Sequence, residues 1–163
     1  FQTGDMAAYV GMRSLASPPG SVFHYASGAT VLLCRIIREA LGGSLSEYFA
    51  FPRQALFDRI GMTSAVLEPD AEGTFTGSSF MYATARDWAK LGLLFLQDGY
   101  WQVQGSWEQI LPEGWVSYSS AASETADFYG AHFWRGVPNS FVPKTGDRSG
   151  WPKDAFLASG YQG

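Results

Sequence analysis

Val31, Leu32, Leu33, Ile36, Ile37, Ala40 and Leu41 recur at helical spacing, while Arg35, Arg38 and Glu39 fall on the other face. That pattern fits a helix with one side turned to a core, and Gly42-Gly43 supplies its stop. Any fold open to this chain must accommodate that amphipathic helix. The composition supplies a core to receive it. Of 163 residues, 46% are hydrophobic, 16% aromatic and 16% charged, the last against about 25% in an average soluble domain. Disorder is excluded, and the length suggests one domain.

Before this helix, Ser17-Pro18-Pro19-Gly20 forces an extended turn, so Tyr25 arrives just ahead of the helix N-terminus. Ser44 and Glu47 have capping-box spacing and open a second helix through Phe57, bent or restarted at Pro52, before a turn at Gly61. Thr84 and Asp87 repeat the device ahead of Trp88, Leu91, Leu94 and Phe95, and Gly99 closes this third helix, whose wide apolar side predicts deep burial. Residues 100–110 suit a small hairpin, and Pro112-Glu113-Gly114-Trp115-Val116 a short helix with proline in its first turn. Residues 130–134 and 155–158 read as strands around a Gly-, Pro- and Asn-rich loop. Helices early and strands late favour an α+β fold.

Several functions drop out. Lys plus Arg number 11 and Asp plus Glu 15, a net charge of -4, so no basic stripe is available for nucleic acid. The apolar runs near Val31 and Leu91 are far shorter than the roughly 18 residues a membrane span needs. A single cysteine, Cys34, forms no internal disulfide and reads as a small helix-borne hydrophobe. His24 and His132 lack partners at metal-ligand spacing. The tryptophans are read as packing rather than as binding residues.

The segment Pro19-Gly20-Ser21-Val22-Phe23-His24-Tyr25-Ala26-Ser27-Gly28, with a helix expected from Ala29, resembles a known motif region. It is similar to the Y-x-N or Y-x-S region of the serine β-lactamase and penicillin-binding superfamily, in the branch of class C β-lactamases, family VIII carboxylesterases and 6-aminohexanoate-dimer hydrolases. Leu56-Phe57-Asp58-Arg59-Ile60-Gly61-Met62-Thr63-Ser64-Ala65 and the run from Gly77-Ser78-Ser79 through Thr84-Ala85-Arg86-Asp87 to Gly92 look like segments of the same branch, in the same order. Ile110-Leu111-Pro112-Glu113-Gly114-Trp115-Val116 adds a fourth.

The resemblance implies one partial β-lactamase-like α+β domain over residues 1–163. Its helical region would cover about 1–120 and part of an antiparallel sheet about 121–163. It also implies a serine hydrolase for a small amide or ester, working through an acyl-serine without metal or organic cofactor. The family's nucleophile belongs to an S-x-x-K pair that lies upstream of the tyrosine motif. Here the residues three before Lys90, Lys144 and Lys153 are Asp87, Phe141 and Gly150, so the pair is missing. The expectation is a fragment that does not turn over substrate by itself.

Tyr25 corresponds to the family's tyrosine, whose phenol, with a water value near pH ~10, needs a neighbouring cation to act as a base. Ser27 matches the third motif position, implying a hydrogen bond toward lysine or substrate; class C β-lactamases commonly carry asparagine there. On residue type alone the two are an amphipathic ring at a helix entrance and an N-cap. Ser27 is not a nucleophile elbow, because G-x-S-x-G would need glycine where Tyr25 and Ala29 stand.

Ala158-Ser159-Gly160-Tyr161 resembles the strand that ends in G-x-x-G in the amidase and esterase branch. Gly160 would admit substrate to the backbone, and the Tyr161 N–H would serve the oxyanion hole. The plainer reading is a strand ending in a glycine turn. Lys144-Thr145-Gly146 spells the β-lactamase K-T-G triad, but Pro143 and Asp147-Arg148-Ser149-Gly150 around it mark a loop and a chance tripeptide. The alternatives to an enzyme are a non-catalytic binding module of the same fold, or a fragment that self-associates through exposed strand edges.

Overall fold

The computed structural model describes residues 4–136, 152 and 154–160. The fold is mixed α+β, with helices and short antiparallel ladders. The chain divides into two compact units. One combines the residues up to Ala16 with His24–Ile110, and the other combines Ser17–Phe23 with the chain from Leu111 onward.

The first unit opens with α1 (Met6–Gly11), capped by Asp5, whose carboxylate accepts from the Ala8 N–H at 2.8 Å. Helix α2 (Ser27–Ala40) is the amphipathic helix of the sequence, and it starts two residues earlier than expected. Its cap position is Ala26, so Ser27 is the first helical residue and not the N-cap. The covered side of α2 carries Val31, only 3% exposed, whereas Ile36 stays 61% exposed. Periodicity identified the apolar residues, but α1 and the 74–77 segment reach only one flank of them.

Helix α3 (Leu45–Pro52) begins at the capping residue Ser44, which accepts from the Glu47 N–H at 3.4 Å. At Pro52, whose missing N–H interrupts the α-helical hydrogen bonding, the chain passes into a π-helical turn, Arg53–Phe57. Gly61, at φ +72, then turns it toward β1 (Val66–Leu67), which pairs antiparallel with β2 (Met81–Tyr82). The core gathers Tyr48, Phe57, Ile60, Met62, Phe75 and Leu94. Rings of Tyr48 and Phe75 lie 4.6 Å apart, and the Tyr48 hydroxyl accepts from the Phe75 N–H at 3.1 Å. Left unpaired in that core, the N–H would cost about 1–3 kcal/mol.

Helix α4 (Ala85–Leu96) starts where the Thr84 side chain accepts from the Asp87 N–H. It ends through Asp98 and Gly99, both at positive φ, with the Gly99 N–H on the Leu94 carbonyl. Deep burial of its apolar side is corrected. Leu94 is fully buried, but Trp88, Leu93 and Leu96 remain exposed. The hairpin is as expected: β3 (Tyr100–Val103) pairs with β4 (Ser106–Gln109) across Gln104-Gly105. Both turn residues have positive φ, matching the twist of the strands.

In the second unit, Pro18-Pro19-Gly20-Ser21 forms a type II turn, with Gly20 at φ +76 and the Ser21 N–H on the Pro18 carbonyl. Helix α5 (Trp115–Ser120) follows Gly114, whose φ of +75 separates it from Pro112. Proline therefore lies outside the first turn, a correction to the sequence reading. Strands β5 (Trp134–Arg135) and β6 (Phe156–Leu157) pair antiparallel but are shorter than residues 130–134 and 155–158. Gly130 donates to the Phe133 carbonyl and His132 takes φ +69, so residues 130–133 close into a turn instead of extending. Phe23 packs on Phe128 and Tyr129 at 5.5 and 5.2 Å, and Tyr129 meets Trp134 edge-on.

Candidate functional site

The sequence-predicted residues Tyr25 and Ser27 sit together at the entrance of α2. Tyr25 is 58% exposed, which rules out a ring lost in dry packing. Ala26 has extended backbone and its carbonyl accepts from the Ala29 N–H at 3.2 Å, but it offers no side-chain oxygen to the helix end. The first N–H groups of α2 are therefore not capped by a side chain. They carry a partial positive charge, roughly half an elementary charge, facing the residues ahead of the helix.

Two close approaches hold this helix. At Gly28, a β-carbon would come within 2.9 Å of Val10 Cγ2, so α1 presses on the first turn of α2. At Gly77, a β-carbon would meet Cys34 Sγ at 2.5 Å and Thr30 Cγ2 at 3.2 Å. Helix α1 is in turn fixed by Asp70, which is buried and accepts from the Met6 N–H at 3.0 Å across 64 positions of chain. The other Asp70 oxygen accepts from the N–H groups of Glu72 and Thr74 at 3.1 and 2.9 Å, closing the turn that Gly73 completes at φ +82.

A second polar cluster joins two of the stretches that carried the family resemblance. The buried Asp87 carboxylate accepts from Ser64 N–H at 2.8 Å, Ser64 Oγ at 2.6 Å and Lys90 Nζ at 2.8 Å. Lys90 also donates to the Gly61 carbonyl, and the Thr84 N–H donates to Ser64 Oγ at 2.9 Å. The Lys90 hydrogen bond, then those from Ser64, hold the Asp87 carboxyl down at about 2. A carboxylate so acidic is a poor proton acceptor, so the Ser64–Asp87–Lys90 arrangement is a structural clamp between α4 and the turn before β1.

The clamp makes stability depend on pH. Because folding lowers the Asp87 value, its contribution is present above the unfolded carboxyl value, about 3.9, and is lost as pH falls through the folded one. Asp87→Asn is expected to lower the thermal midpoint by roughly 4–8 °C near neutral pH. Melting curves of both forms should converge between about pH 4 and pH 2; a gap unchanged down that range would contradict the assignment.

Tyr48 and Cys34 are shifted by burial. Desolvation pushes the Tyr48 phenol up to about 12 and raises the Cys34 thiol, with hydrogen bonds only partly opposing the latter. Tyr48 is thus a poor proton shuttle and serves as a core hydrogen-bonding group. Cys34 is half-buried.

Gly160 lies exposed in the second unit, three residues beyond β6, and among the described residues nothing stands within 4 Å of where its β-carbon would be. Tyr161 and Lys144-Thr145-Gly146 lie outside the described residues. Among the described residues, no group of three or more His, Cys, Asp or Glu could hold a metal, and no helix is long and apolar enough to cross a membrane. Sequence reasoning missed Asp70, although Asp70-Ala71-Glu72-Gly73 has the composition of a side-chain-closed turn. It also missed the pressure of Val10 on Gly28, for which no local signal exists.

No protein-family model matches the chain, and no curated protein matches it. Among solved structures, the chain is similar to a Bacillus anthracis protein provisionally named a 6-aminohexanoate-dimer hydrolase. The two share 29% identity with a TM-score of 0.65, over 83% of this chain and 36% of that one. The chain thus spans just over a third of that neighbour's length. This likeness supports a distant relation to the β-lactamase-like fold and to hydrolases.

Proposed function

We propose that this chain is part of a serine hydrolase that cleaves a small amide or ester through an acyl-serine intermediate. The observation that carries the reading is Tyr25, exposed at the uncapped entrance of α2, in a chain whose fold is similar to that of a hydrolase. Its residues belong to one β-lactamase-like domain. The nucleophilic serine and the lysine of S-x-x-K are contributed by residues outside this sequence.

In this scheme the S-x-x-K lysine lies beside the Tyr25 hydroxyl and the two handle the proton as a pair. The Tyr25 and lysine pair takes the proton of the serine hydroxyl as its oxygen attacks the substrate carbonyl. The oxyanion is held by the N–H of the serine itself and a second backbone N–H, the part for which the family resemblance offers Tyr161 beside Gly160. As the tetrahedral intermediate collapses, the bond to the amine or alcohol breaks and Tyr25 returns a proton to it. Water then cleaves the acyl-serine by the same steps, regenerating the hydroxyl. Ser27 keeps the lysine and substrate oriented through its hydroxyl.

A reactive fluorophosphonate, followed by intact-mass measurement, tests where the nucleophile lies. The 163-residue chain should take up none, whereas the longer protein should take up one equivalent. Stoichiometric labelling of a serine in the 163-residue chain would overturn the assignment.

A further inference from the structure

Helix α1 presses on the first turn of α2 at Gly28, one residue after Ser27 and three after Tyr25. We infer that Gly28 is a positioning residue, kept without a side chain so that Val10 can seat the turn that presents Tyr25 and Ser27. The inference rests on the hydrolase reading for what those two residues do, but its geometry is independent of it.

Conformation does not demand glycine here. Gly28 lies within a regular helix, not in the left-handed region, and alanine would ordinarily favour a helix over glycine. Space decides the matter. A β-carbon would stand 2.9 Å from Val10 Cγ2 and 3.1 Å from Val10 Cγ1. Val10 is β-branched and itself helical, so its χ1 has one favoured setting and cannot swing aside cheaply. Helix α1 has little freedom to retreat, since Asp70 grips the Met6 N–H and Asp5 lies 3.7 Å from Arg35 on α2. At the next turn, Gly77 blocks retreat of α2 in the same way through Thr30 and Cys34. A methyl group added at Gly28 must therefore move the first turn of α2, and Tyr25 and Ser27 with it.

Four forms decide the point: wild type, Gly28→Ala, Val10→Ala, and the double variant in which the removed valine methyls make room for the new one. Nitration by tetranitromethane, mapped by peptide mass, reads the setting of Tyr25 in the 163-residue chain. Tyr82, also exposed, serves as internal reference. Gly28→Ala should change the Tyr25 rate severalfold relative to Tyr82, and the double variant should restore it. In the longer enzyme, Gly28→Ala should lower kcat roughly 10-fold or more with KM little changed, again with recovery in the double variant. Unchanged Tyr25 labelling in Gly28→Ala, or failure of Val10→Ala to restore it, would overturn the positioning role. Absence of any turnover in the wild-type longer protein would instead overturn the hydrolase reading and leave the labelling result to stand.

Discussion

Under the proposed mechanism, Tyr25→Phe in the longer protein is expected to lower kcat by about three orders of magnitude. The substitution removes one oxygen and keeps the ring. In the proposed mechanism catalysis depends on it twice, once when the serine loses its proton and again when the leaving group gains one. KM should move far less than kcat, because a group that transfers protons acts mainly in the transition state. Hydrolysis of an activated ester should suffer less than that of an amide, whose poorer leaving group needs the returned proton more. Near-normal rates on both substrates would show that Tyr25 is an ordinary surface ring.

The second large effect is on stability. Asp70→Ala should cost about 3 kcal/mol, which for a chain of this size lowers the midpoint by roughly 6–12 °C. One carboxylate serves three N–H groups, those of Met6, Glu72 and Thr74. Thr74 is fully buried, so its N–H finds no water when the acceptor is removed. Asp70→Asn keeps one acceptor oxygen and should cost about half as much. The loss should be accompanied by fraying of α1, which amide hydrogen exchange over Met6–Gly11 would report. Equal stability of all three forms would contradict this account of how α1 is held.

Elements whose signals are local were legible in the sequence. Ser44 with Glu47 and Thr84 with Asp87 sit at the starts of α3 and α4, because a side-chain cap involves residues only three apart. Gln104-Gly105 closes its hairpin for the same reason. The α+β class followed from helices early and strands late in the chain. Features that depend on distant parts of the chain were not legible. Nothing near Asp70 announces a partner at Met6, and nothing near Gly28 announces Val10.

Apolar patterning also says which residues prefer a core, not which are covered. Leu94 and Leu96 share α4, yet one is fully buried and the other 84% exposed. The candidate site was legible only through resemblance. A tyrosine before a helix has no property that marks it as functional, and the structure adds its exposure and its place beside Ser27.

The proposed mechanism requires Tyr25 to face a reactive serine. A crystal structure of the longer protein carrying a phosphonate on its nucleophile tests it in one measurement. The Tyr25 hydroxyl should lie within hydrogen-bonding reach of the modified serine oxygen, with an S-x-x-K lysine beside both. A labelled serine lying elsewhere, with Tyr25 turned to bulk water, would contradict it.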